Sequence, residues 1–328
     1  MRFSKMALGL ASVGLVIAAA AAGCGDDPPD QPPPSGASCA LKAECAVADR
    51  DCVALFDNKD AKQFGLRMSQ IVISKPDTLA AATFVGKTVA GGVAYNKNEC
   101  FLNGQGTFSW LLYADADKGT LCTGGAKPVT NPDEGYTFVK ETITQGGKDF
   151  NVAPIEVPVD LAASKIDTMM PLDVIVPVYT DPMDLTKAVL LPLKKARIFD
   201  AELSADHNCM GVFNAEELDP LNNCYPYPEE GQFSFTTGGK LEGYITLEDA
   251  DSVIVDLAGA SLCKLITNQG NGEKPDKCAR DANGKITFKG DWCDATNAAA
   301  DATCADAVKL SAEFAASAVK INGGCPLP

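Results

Sequence analysis

The chain has 328 residues, 46% of them hydrophobic, with 43 acidic residues against 28 basic ones. An apolar fraction near one half supports a packed core and excludes global disorder, and a net charge of −15 excludes nucleic acid as a partner. Thirteen cysteines point to an oxidising compartment, and a single histidine leaves histidine-based catalysis only one candidate.

Arg2 and Lys5 open the chain, an apolar stretch runs from Met6 to Ala22, and small residues precede Cys24. This is the layout of a secretory signal, and the apolar stretch falls short of the roughly 20 residues of a membrane span. Ala21-Ala22-Gly23-Cys24 resembles the lipobox of bacterial lipoproteins. The resemblance implies cleavage before Cys24 and a lipidated, palmitate-bearing cysteine. Gly25, in place of Asp, implies the outer membrane. Cysteine parity agrees, because removing Cys24 leaves twelve, an even set for six disulfides. Loss of the leader leaves 26 basic residues against 43 acidic ones. From Gly25 to Ser38 the chain is mostly Pro, Asp, Gly and Ser, an extended tether of roughly 40 Å.

Residues 39–62 form a cysteine-rich lead-in, and extended patterns follow. Phe64, Leu66 and Met68 alternate, then Ile71 and Ile73 resume one step out of phase, which predicts a β-bulge near Ser69 and Gln70. Phe108, Trp110 and Leu112 share one face of the next strand. Pro158, Pro177 and Pro192 each interrupt an aliphatic run, and a proline within a strand marks an edge, a bulge or a change of sheet. Three such strands favour two sheets over one. The expected fold is mainly β, a disulfide-rich two-sheet sandwich over 63–204 with a mixed part over 205–328. One continuous domain satisfies the pattern equally.

Helices are expected towards the C-terminus. Thr246 to Asp249 resembles a capping box opening a helix through Ile254 and Leu257. The alanine-rich run after Asp301, with Val308, Phe314, Ala318 and Ile321 near one face, predicts a second helix ended by Asn322-Gly323-Gly324. Trp110 and Trp292 are expected in the core.

Catalytic motifs are sparse. His207 has no Gly-x-Ser-x-Gly elbow, no H-E-x-x-H helix and no phosphate-binding glycine loop beside it in the chain, and reads as a polar loop residue. Asp115 and Asp117 have the alternating oxygens of a calcium loop but lack its closing glutamate; calcium is the one ion considered, and no cofactor is implied. Tyr225 and Tyr227, between prolines, offer rings that could stack on a glycan or a peptide. Glu248, Asp249 and Asp251 suit the first turn of a helix.

Short loops predict the disulfides Cys100–Cys122, Cys209–Cys224, Cys263–Cys278 and Cys293–Cys304. Cys325 is then left for Cys39, Cys45 or Cys52. The function expected is a lipid-anchored envelope protein acting as a non-enzymatic binding or structural module. Its partners would be the membrane through its lipid, and a glycan or another envelope protein. The alternative is a carboxylate-dependent glycan hydrolase, which needs two acids in a cleft and no histidine.

Overall fold

A computed structural model describes residues 38–325 apart from 81, 96, 98, 99, 101–105, 162, 163, 222, 223 and 227–229. Cys24, its leader and the tether lie outside the described residues, as does Tyr227. The long strands are Gln63–Lys75 (β1), Ser109–Asp115 (β2), Thr120–Ala126 (β3), Glu141–Gln145 (β4), Lys148–Val152 (β5), Ile155–Asp160 (β6) and Lys165–Thr168 (β7). Leu172–Tyr179 (β8), Ala188–Phe199 (β9), Gly239–Thr246 (β10) and Ala307–Ala318 (β11) complete them. All but β4 and β5, which pair with each other, belong to one large antiparallel sheet in the order β7-β6-β3-β2-β1-β11-β10-β9-β8.

The first and last long strands meet at the middle of this sheet. The register of β1 on β11 shifts between Met68 and Gln70. This is the bulge that the phase slip predicts, and it keeps Phe64, Leu66, Met68, Ile71 and Ile73 in one core. Segment 307–318, expected as a helix, is β11. Its even-numbered residues Val308, Leu310, Ala312, Phe314, Ala316 and Ala318 line the main core, while Ala315 packs into a second cluster on the opposite face. A central strand covered on both sides needs small residues, and that tertiary demand overrides alanine's helical preference.

The sheet curls until its two halves face one another, which gives the mainly β body its two layers. A Cβ built on Gly125 of β3 would lie 2.4 Å from Pro177 Cδ of β8, and Tyr179 N donates to Thr107 O at 3.0 Å. The prolines sit where pairing ends. Pro177 is on the outermost strand β8, and Pro192 lies beyond Lys194, the last β9 residue registered with β10. The described residues from 38 to 325 belong to one compact unit that contains the core and all six disulfides.

Three helices accompany the sheet, and the first precedes β2 instead of following the sandwich strands. Phe84–Val93 (α1) is capped by Thr83 Oγ1, which accepts from Gly86 N at 3.1 Å. Leu247–Ser252 (α2) starts at the predicted Thr246 cap but stops after six residues, because Ile254 and Val255 pair with Ala260 and Ser261. Leu262–Thr267 (α3) is capped by Ser261 and ends at Asn268 in a left-handed conformation. No helix among the described residues is long and apolar enough to cross a membrane.

Six disulfides use the twelve cysteines from Cys39 onward: Cys39–Cys224, Cys45–Cys100, Cys52–Cys209, Cys122–Cys325, Cys263–Cys278 and Cys293–Cys304. The last two close the short loops that spacing predicts. The pairs Cys100–Cys122 and Cys209–Cys224 do not form, and Cys325 joins Cys122 instead of the lead-in. The lead-in itself is the reason. Leu55 N donates to Ala318 O and Ser317 Oγ donates to Cys52 O, so it lies against β11 and reaches distant cysteines.

Candidate functional site

The residues singled out by sequence do not converge. Asp115 accepts from Gln63 Nε2 (2.8 Å), Lys118 N (3.1 Å) and Lys118 Nζ (3.3 Å), whereas Asp117 is exposed and pairs with Lys62 at 2.8 Å. Each carboxylate already has a lysine. His207 stacks on Phe64 with ring centroids 4.4 Å apart, and its Nδ1 is buried without a partner. Tyr225 is about half exposed beside the Cys39–Cys224 bridge. Trp110 is buried, its indole N–H donating to Thr123 Oγ1 at 2.8 Å. Trp292, expected in the core, is only half-buried, under the Lys309 ammonium.

The acidic run of α2 is structural. Arg280 bridges Glu248 and Asp251, both at 2.7 Å, and Asp251 Oδ1 also accepts from Ser261 Oγ (2.9 Å) and Cys278 N (2.7 Å). Two clusters bring sulfur and carboxylate together, Asp251 with Cys263 and Cys278, and Asp306 with Cys293 and Cys304. Their sulfurs are bound in disulfides, which removes the thiolates a metal would need. Arg67 is fully buried over the Tyr95 ring and donates to Ser109 Oγ, Phe108 O and Met68 O. Its guanidinium is enclosed by the Tyr95 and Tyr136 rings and these backbone and hydroxyl acceptors.

A cleft of about 450 Å³ between β5 and the β8–β9 pair gathers Asp149, Asp173 and Asp249. Asp249 is ion-paired to Lys148, Asp173 to Lys194 and Lys195, and Asp149 accepts from Thr144 Oγ1 at 2.6 Å. A glycosidase acid needs a carboxyl held above its ordinary pKa. Among the described residues the carboxyl groups that depart from the ordinary value, Asp115, Asp184, Asp206, Asp281 and Asp301, all move down.

The molecule's distinctive feature is an aliphatic cavity of about 420 Å³ at one end of the curled sheet. Antiparallel pairing brings five chain segments to this end. They are Ile73 late in β1, Leu310 early in β11, Val178 and Tyr179 closing β8, Val189 and Leu191 opening β9, and Thr107 ahead of β2. The helices roof it. Val85 and Val89 recur at helical spacing on α1, and α3 adds Leu262 and Leu265. Leu79 is fixed through its neighbour, since Thr78 Oγ1 donates to Ile266 O of α3 at 2.7 Å.

Twelve of the eighteen lining residues are Val, Leu or Ile. Lys87, Thr88, Thr107 and Thr180 are the polar members. Tyr179 is the one ring, and its buried hydroxyl has no partner among the described residues. Burial, with Glu141 adding to it, pushes the Tyr179 pKa well above that of an ordinary tyrosine. Leu257 lines the cavity while 68% exposed, which places the mouth at the Asp256–Ala258 turn.

Cavities of this size and lining hold small apolar molecules. Neither His207 nor Tyr225 borders it. Sequence reasoning missed the site because its residues come from nine separated segments between Ile73 and Leu310. Only α1 carried a local signal, Thr83 followed by Val85, Val89 and Val93. Comparison with protein-family models, with curated proteins and with solved structures gave no match.

Proposed function

We propose that the chain is a lipid-anchored protein of the bacterial outer membrane whose folded body is a non-enzymatic binding module, with the aliphatic cavity as its ligand seat. The cavity carries this reading. A pre-formed apolar space of about 420 Å³ is the standard architecture of a small-molecule site, and its lining is mostly Val, Leu and Ile. The disulfide pattern supports the anchor, because six bridges leave Cys24 as the one cysteine outside them. Glycan hydrolysis has less support, because Asp249 and Asp173 in the acidic cleft are ion-paired to lysines.

The test is equilibrium fluorescence of N-phenyl-1-naphthylamine added to the purified body, Ser38–Pro328. Saturable enhancement at one site per chain is expected. Absence of saturable binding, or turnover of a glycan, ester or peptide substrate, would overturn the proposal.

A further inference from the structure

Resting on that reading, we infer that the cavity accepts one unbranched saturated acyl chain. Shape and chemistry of the lining select it. Ile73, Leu79, Val89, Leu191, Leu262 and Leu310 present branched aliphatic surface, and Tyr179 is the one ring among the described lining residues. Aliphatic side chains are twelve of the eighteen lining residues, so a chain of methylenes matches the surface more fully than a sugar does. The cavity's volume of about 420 Å³ lies within the range of small-molecule sites.

The mouth fits entry from a lipid phase. Leu257 stands 68% exposed on one side of it. The loop from Thr180 to Lys187 leaves the cavity wall at Thr180. That loop carries Met183, 88% exposed, and Leu185. Exposed apolar residues at the mouth and on the loop that leaves the cavity wall would ease passage of a chain from a membrane or a micelle.

The experiment displaces N-phenyl-1-naphthylamine from the body with straight-chain fatty acids of 8 to 18 carbons. Burying one CH₂ contributes about 0.8 kcal/mol, or roughly fourfold in affinity. Displacement should tighten by about that factor per methylene until the chain fills the cavity and then level off or weaken. Flotation with dimyristoylphosphatidylcholine vesicles distinguishes the source. Co-flotation points to a phospholipid chain, and displacement by free acids without it points to a free acid; both support the inference.

Two filling variants accompany the titration. A Cβ on Gly91 would meet nothing within 4 Å, so Gly91→Leu adds bulk to the lining without a first clash, and Val85→Trp fills from the half-buried face of α1. At least one, with native circular dichroism, should lose tenfold or more in acyl affinity. Dye binding with no dependence on chain length would overturn the acyl inference and leave the binding module standing. Undiminished acyl binding in both filled variants would also overturn it. Failure of the dye itself to bind would instead remove the underlying reading.

Discussion

Gly125→Ala tests whether the halves of the sheet really face each other. The added methyl carbon would lie 2.4 Å from Pro177 Cδ, 3.1 Å from Pro177 Cγ and 3.3 Å from Val176 Cγ1. Carbon atoms prefer about 3.5–4.0 Å, so roughly 1 Å must be opened between β3 and β8. Neither side yields easily. Pro177 is a rigid ring, Val176 is fully buried, and Gly125 O is held by Val139 N at 2.8 Å. Overpacking of this kind costs about 1–3 kcal/mol. In a body of this size that lowers Tm by roughly 2–10 °C. Urea unfolding followed by Trp110 fluorescence reads the loss directly, with Gly91→Ala as the control. That helical site is open, so alanine should stabilise there by about 0.5–1 kcal/mol. A Gly125→Ala protein as stable as the parent would refute the close approach and with it the curl.

Three further outcomes are expected. Cys24→Ser should abolish palmitate labelling and release the protein from the membrane fraction; a labelled, membrane-bound mutant would contradict the lipid anchor. Non-reducing peptide mapping should recover Cys325 linked to Cys122, and a link to Cys39, Cys45 or Cys52 would contradict the pairing. Stability should fall in acid. Desolvation works to raise the Asp206 pKa, but hydrogen bonds from Ser204 Oγ and from Asn208 N and Nδ2 outweigh it and hold it below normal. Its contribution is complete above the unfolded value near 3.9 and is lost as pH drops through the folded one. The urea midpoint should therefore decline from about pH 5 to about pH 2.5, less steeply in Asp206→Asn, and equal slopes would remove Asp206 from the account.

Much of the β framework was legible because it rests on local alternation. The bulge in β1, the face shared by Phe108 and Trp110, and the Thr246 cap all follow from neighbours in sequence. β11 shows how a correct signal can be outweighed. Val308, Leu310, Ala312 and Phe314 alternate with Lys309, Ser311 and Glu313, a two-residue period hidden by alanine content that suggests a helix. Its place at the sheet centre depends on β1, more than 200 residues away, and no local pattern encodes that pairing. The disulfides divide on the same line. Cys263–Cys278 and Cys293–Cys304 close 15- and 11-residue separations, while Cys39–Cys224 and Cys122–Cys325 span 185 and 203. The cavity is non-local throughout, since strands from both halves of the chain must end together before it exists.

The most direct test of a ligand seat at the end of the sheet is methyl NMR of the Ile-, Leu- and Val-labelled body titrated with myristate. Shift changes should concentrate on Val85, Val89, Leu191, Leu262 and Leu310. The methyls of Leu41, Val53 and Leu55, in the separate cluster under the lead-in, should stay unmoved. Changes spread evenly over both sets, or confined to the second, would contradict the assignment of the cavity as the binding site.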